Sequence, residues 1–403
     1  MLKHLVRGRQ CLWFSGKDED DLKVLADSQS CLSLMRQFPN IIIDEAQFFP
    51  DIGRVIKEMV ENTTTDSRIF VIGSSKLAFG VPLGQSGGDR IDSFTLWPLA
   101  LEERARRNGW DDVKRDIYDR MIYGCYPTVI NDPAHAREFL IDMADTLLHR
   151  DLFQLAEVRK KMDLERLLAV LAAKVGSVIH YGAIARELGI ENKTIERYVE
   201  LLAACFIVRV VPSWYGQSSA ELRLSKKIYF YDNGVRNALL RDFTPVPARK
   251  DKEVLWENLF FTERLKRHAV RRDGGEIYFW RTKKGHEMDF VEVVNGTIVA
   301  FACRAANLTA LPSNPPSKPS CAPTRTSPSR LQRPRRSIGN RKTLCVSRPP
   351  SRRRAMFRVK LSGQADPSWV RSSFAKSLTG ARAVYSKVEG GVQRARGNDS
   401  DFL

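Results

Sequence analysis

NIIIDEAQFFPDIG, Asn40 to Gly53, decides how this chain is read. Three consecutive isoleucines form a continuous apolar run of strand length, the pattern of a strand covered on both faces of a parallel sheet. Asp44 and Glu45 follow directly, so the strand delivers two adjacent carboxylates to one edge of that sheet. In such a place one carboxylate binds Mg2+ through water and the next orients an attacking water; the plain alternative is a strand-end turn or a helix cap. What the stretch leaves open is whether the chain also holds a phosphate for these carboxylates to act on.

Outward from it, the first hundred residues alternate strand-like and helix-like runs, as an α/β layer does. RQCLWFSG reads as a strand, DEDDLKVLADSQSCLSLMRQ as one or two helices, and DIGRVIKEMVENT as a helix. SRIFVIGSS and DSFTLWPL read as two further strands. From Ala100 to about Met162 the pattern is helical and charged. DLERLLAVLAAKVG, HYGAIARELGI and ENKTIERYVELLAACF are then three helix-period segments, with Asn192 the expected N-cap of the last. FIVRVVP and KKIYFYD complete the element order of a winged helix. LWENLFFTERLKRHAV reads as an amphipathic helix, followed by the strands EIYFWRT, EMDFVEVV and TIVAFACR.

The 403 residues are enough for two to four domains. No apolar run approaches the roughly 18 to 20 residues of a membrane span; even Leu164 to Val175 is broken by Arg166 and Lys174. The expected partners therefore exclude a membrane. Seven cysteines without a CxxC pair argue against a zinc site or a disulfide framework and favour a reducing cytoplasm. The formal charge is +18, but residues 311–360 hold 14 Lys or Arg and no Asp or Glu, and residues 1–310 carry only about +2. The basicity belongs to a tail. That stretch also holds 9 of the 19 prolines, a composition that cannot bury a core, so disorder is expected from about residue 306.

IFVIGSS ends in Ser74 and Ser75, either of which suits a polar sensor near a γ-phosphate, against the plain reading of a turn. Arg90 in GGDRID suits an arginine finger, against a solvated loop arginine. NIIIDEAQFFPDIGRVIKEMVE, with the form of a Walker B strand, then IFVIGSSKLAF, FTLWPLALEE and YGCYPTVI resemble successive blocks of a prokaryotic AAA-superfamily ATPase family. HRDLFQL, KKIYFYDNGVRNALL, WENLFFTERL and YFWRTKKGHEMDFVE resemble the C-terminal domain of unknown function carried by its members. The resemblance runs from about Arg9 to Arg304. It implies an α/β chain with a P-loop NTPase-like parallel sheet, a winged helix and a small nuclease-like α/β unit. ATP and Mg2+ are the implied cofactors, with Asp44 on the metal, Glu45 on water, Ser74 or Ser75 as sensor, Arg90 as finger, and a homo-oligomer as a partner state.

Two departures qualify this. Family members open with a strand and a GxxxxGK[ST] loop that cradles the phosphates; here MLKHLVRGRQCLWFSGKDED resembles the segment after that loop, and Gly16-Lys17 is followed by Asp18. The expectation is a late start codon or a truncated gene, poor ATP binding and negligible hydrolysis. The last unit resembles the restriction-endonuclease-like fold, in which Asp289 fits the first acidic position, but Ala302 and Arg304 stand where Glu and Lys belong. No nuclease activity is expected. Codons for Ser317 to Pro328 admit a two-base shift reading Gln-Ala-Phe-Leu-Arg-Ala-Tyr-Pro-Asp-Ile-Pro, so residues after about 304 are expected to be out of frame.

The domain layout expected is therefore 1–100 for the ATPase core, 101–162 for a helical lid, 163–250 for the winged helix, 251–305 for the nuclease-like unit and 306–403 for the tail. The rival reading is a non-enzymatic nucleic-acid-binding protein using the winged helix and tail. Against it, Lys193, Glu196, Arg197 and Glu200 on the third helix cancel in charge. A decayed gene product without function is the third reading.

Overall fold

The computed structural model describes residues 6–49, 51–62, 68–75, 92–146, 152, 161–214, 225–282, 286–303, 357–361 and 384–387. Its N-terminal layer is a parallel sheet in the order β1 (Leu12–Ser15), β2 (Asn40–Asp44), β3 (Arg68–Val71). The register pairs Ser15 with Asp44 and Ile43 with Val71. Ile41, Ile42 and Ile43 are all fully buried, as the apolar run requires. Helices α1 (Glu19–Ala26) and α2 (Ser28–Gln37) are each opened by an aspartate, Asp18 and Asp27, whose carboxylate accepts two first-turn N–H groups. Helix α3 (Ile52–Asn62) buries Ile52, Val55, Ile56 and Met59, one stripe at helical spacing, beneath the sheet.

The stretch from Asp92 to Trp97 corrects the sequence reading. It carries no strand ladder, and Phe94 and Leu96 lie 73% and 76% exposed. Alternating apolar residues make a strand only where a neighbouring edge supplies hydrogen bonds, and among the described residues none does. Among the described residues five α-helices follow: α4 (Leu101–Asn108), α5 (Trp110–Arg115), α6 (Ile117–Tyr123), α7 (Pro127–Asn131) and α8 (Ala136–Thr146).

The next unit has the order α9 (Lys161–Ala173), β4 (Val178–Ile179), α10 (Tyr181–Leu188), α11 (Asn192–Ala204), β5 (Val208–Pro212), β6 (Lys226–Phe230). Its strands form an antiparallel sheet ordered β4-β6-β5. Asn192 is the first helical residue of α11 rather than its cap; Glu191 holds the cap position without a side-chain bond. Helix α12 (Asn233–Leu239), which the sequence reading missed, is buried along its first six residues.

The long helix α13 (Lys252–Arg271) precedes the antiparallel strands β7 (Glu276–Arg281), β8 (Glu287–Val294) and β9 (Thr297–Ala302). Phe261, Ile277, Phe279 and Phe290 of this unit join one hydrophobic core with Ile195, Leu202, Ile228 and Tyr229 of the preceding one. The boundary near residue 250 is thus crossed by a continuous core. Two short segments of the tail carry strand pairing. Phe357–Leu361 (β10) pairs parallel with β9, and Val384–Lys387 (β11) pairs parallel with β10. Backbone pairing to an open edge orders these segments despite a composition poor in core residues; the remainder of 304–403, including Arg304, lies outside the described residues. Among the described residues no helix is long and apolar enough to cross a membrane.

Candidate functional site at the strand ends

Because β1, β2 and β3 run parallel, their C-terminal ends open on one edge, and the chain is held there by backbone bonds past the strands. Gly16 donates to Asp44 O at 2.9 Å, Ile72 to Ile43 O at 2.9 Å and Ala46 to Ile72 O at 2.9 Å. Between them Glu45 takes the left-handed conformation, φ 52° and ψ 41°, and turns the chain into a 3-10 turn, Ala46–Phe48. A non-glycine residue there costs about 1–2 kcal/mol; the surrounding bonds hold it. The reversal sets Glu45 and Gln47 over the same edge.

Gln47 is the connector. Its amide donates to Glu45 Oε2 at 2.7 Å and to Ser74 Oγ at 3.0 Å, and its Oε1 accepts the Ser74 N–H at 3.2 Å. The other Glu45 oxygen, Oε1, is paired with the Lys17 ammonium. Asp44 Oδ1 accepts the Glu45 N–H at 3.0 Å. Asp21, from α1, reaches back to take the Ser15 N–H at 2.7 Å.

Of the residues singled out in the sequence, Asp44, Glu45 and Ser74 therefore come together. Ser75 does not join them: it is 1% exposed, and its hydroxyl faces Cys205 Sγ at 3.6 Å. Arg90 lies outside the described residues. Asp289 sits within β8, where its Oδ2 accepts the Cys303 N–H at 2.6 Å. Lys17 and Gln47 were missed as site residues. Lys17 had one legible signal, its place just past a strand that pairs in parallel with Asn40–Asp44. Gln47 had none, because its role depends on the left-handed turn at Glu45.

Gly16 is required by close approach. A Cβ on it would lie 2.2 Å from the Glu45 carbonyl oxygen, which is fixed backbone. Gly16→Ala is expected to push the Glu45 turn off β1 and to destabilise the fold by about 1–3 kcal/mol, the usual range for overpacking. Urea midpoints of the two proteins, compared at equal slope, check it.

The magnesium side of a nucleotide site fits these residues. Mg2+ is typically held by one or two carboxylates together with substrate phosphates and water, and Asp44 supplies one on a half-exposed edge beside Glu45. Among the described residues no group of three or more His, Cys, Asp or Glu is placed to hold a metal ion by itself. Among the described residues the phosphate side does not fit. Asp18, Glu19, Asp20 and Asp21 crowd the start of α1 beside the edge, and Lys17, the cation at the edge, is engaged with Glu45.

Comparison with known proteins finds family matches along the chain. Residues 1–105 match the AAA domain family, residues 114–245 a domain of unknown function (DUF8612) and residues 252–313 another domain of unknown function (DUF4143). Uncharacterized proteins of Mycobacterium bovis and Mycobacterium tuberculosis are each 26% identical over 296 residues, covering 72% of this chain and 63% of the relative. An uncharacterized protein of Haemophilus influenzae is 24% identical over 292 residues, covering 69% of this chain and 70% of the relative. The chain thus spans less than two thirds of the length of the two mycobacterial relatives. No solved structure matches.

Proposed function

We propose that this chain, whose N-terminal part is of the AAA type, carries a magnesium–nucleotide site at the C-terminal edge of its parallel sheet, and that ATP occupies it weakly and turns over negligibly. The observation that carries the reading is the convergence of Asp44, Glu45, Gln47 and Ser74 on that edge. In this reading Asp44 holds the magnesium, which would shield the phosphate charge when bound, and Glu45 orients water. Gln47 fixes the Glu45 carboxylate, and Ser74 is the polar group facing the reacting end. Weak binding follows from the charge of the described residues at the edge: among them carboxylates outnumber cations, and a triphosphate needs cations and bare N–H donors. The order of α9 to β6 supports a winged helix, and the order of α13 to β9 supports a small nuclease-like unit without nuclease chemistry.

A dissociation constant on the order of 1 mM gives about 1.4 kcal/mol of stabilisation at 10 mM Mg·ATP, and almost none at 0.1 mM. The expected result is a rise in melting temperature at the higher concentration that EDTA abolishes. Glu45→Gln keeps this rise and removes residual phosphate release. A clear shift already at 0.1 mM would overturn the weak site, and a cooperative melt unmoved at 10 mM would overturn the site altogether. The described winged-helix surface does not support the nucleic-acid alternative: Lys193, Glu196, Arg197 and Glu200 are all exposed on α11 and their charges cancel.

A further inference from the structure

Ser74 and Ser75 are consecutive, yet they belong to different neighbourhoods. Ser74 is tied by its N–H and its hydroxyl to the Gln47 carboxamide, which in turn holds Glu45. Ser75 is buried, and its hydroxyl accepts from the thiol of Cys205 at 3.6 Å, a weak bond of a kind sensitive to small displacements. Cys205 is the C-terminal cap of α11, with its N–H on Leu201 O at 2.9 Å.

The helix end at Cys205 is itself a constrained junction. Phe206 takes a left-handed backbone, φ 56°, and lies edge-on to Tyr231 at 5.7 Å. Tyr231 stacks on Trp97 at 5.2 Å, so the chain that leaves the N-terminal layer touches the same ring. Tyr231 also donates its backbone N–H to Ile207 O at 3.1 Å, which ties its backbone to the chain leading into β5. A bulky residue in the left-handed region persists only where its surroundings hold it. A displacement of Ser75 therefore reaches a helix cap that has little slack.

We infer that Ser74-Ser75 is a readout joint: what occupies the Asp44–Glu45 edge changes the hold of Gln47 on Ser74, moves Ser75 against Cys205, and alters the C-terminal cap of α11. The physical link is one peptide unit between two bonded contacts. The identity of the occupant, Mg·ATP, rests on the function proposed above; the joint itself does not.

The test is the alkylation rate of Cys205 by iodoacetamide in the full chain, resolved by peptide mass spectrometry and divided by that of Cys11. Cys11, also half-buried, lies at the opposite end of β1 from the edge. Gln47→Leu releases Ser74 and is expected to raise the Cys205 to Cys11 ratio about fivefold or more, the lower end of usual coupling between sites. Ser75→Ala leaves the strand-end network in place and is expected to raise it too, which covers the case that Gln47→Leu fails to fold. A ratio unchanged in the folded variants overturns the joint. With 10 mM Mg·ATP, a shifted melting temperature and an unshifted ratio overturns the joint and leaves the nucleotide site standing. A raised ratio in the variants with no effect of Mg·ATP on either readout supports the joint and overturns the nucleotide site.

Discussion

Asp251→Ala is expected to destabilise the protein by about 3–5 kcal/mol, the range for removing one partner of a buried ion pair. Asp251 accepts from Arg236 at 2.7 Å and from Arg249 at 2.7 and 2.9 Å. The two guanidinium-bearing side chains are 4% and 1% exposed, so without the carboxylate two cations remain in the interior beside each other. Asp242 meets Arg249 at 3.1 Å but is 42% exposed and does not reach Arg236 in the same way. The loss propagates because Arg236 also donates to Ala172 O at the end of α9.

The pH dependence has a definite sign. Burial alone raises the Asp251 carboxyl, but its bonds and charge contacts with Arg249 and Arg236 outweigh this and hold it down at about 2. The unfolded value is about 3.9. The folded value lies below the unfolded one, so the contribution is present in full above about pH 4 and is lost as pH falls toward 2. Urea midpoints of the wild type and of Asp251→Asn should differ at pH 6 and converge near pH 2. A constant difference across that window would show that the carboxylate charge is not what stabilises the cluster.

Lys227→Met is expected to cost about as much, about 3–5 kcal/mol, and to unlock the C-terminal unit from the sheet of β4 to β6. The Lys227 ammonium, on a side chain 3% exposed, faces Glu287 at 2.5 Å and Glu257 at 3.4 Å and lies over the Phe279 ring. Glu257 also accepts the Tyr229 hydroxyl, and Asp289 adds a third negative charge nearby. Burial already raises the Glu257 carboxyl, Lys227 works against that rise, and Asp289 adds to it. Removing the ammonium takes away the group that holds the Glu257 carboxyl down against burial and against Asp289.

For Glu257 the folded value is raised above the unfolded one, so its contribution is greatest at low pH and falls as pH rises through the folded value. Lys227→Met should therefore recover part of its loss as the pH is lowered from 8 to 5. Adding Glu257→Gln to Lys227→Met should restore stability at pH 8 relative to the single variant. If the double variant is no better than the single one, the ammonium acts by packing and not by charge.

The Lys227 cluster also explains why Asp289 had no chemistry legible in the sequence. The acids from α13 and β8 meet a lysine from β6, which offsets part of their charge, and Asp289 also accepts the Cys303 N–H. Lys17 repeats the lesson at the other end. Read in a line, Gly16-Lys17 is an incomplete phosphate loop; in the fold Lys17 meets Glu45, 28 residues away.

The layer of β1, β2 and β3, the carboxylates at its edge, and the helices with a clear apolar stripe were determined by the sequence itself. Apolar runs, helical periodicity and capping aspartates act over a few residues, so they read the same in the chain as in the fold. Tertiary structure alone decided the rest. Helix α12 is buried although it reads polar, because Asn237 bonds to Ile122 O, 115 residues away, and Arg236 to Ala172 O, 64 away. Asp92 to Trp97 reads as a strand and is not one, because a strand needs a neighbouring edge. Buried polar groups and strand ladders are completed by partners distant in the chain, and no local pattern carries the identity of those partners.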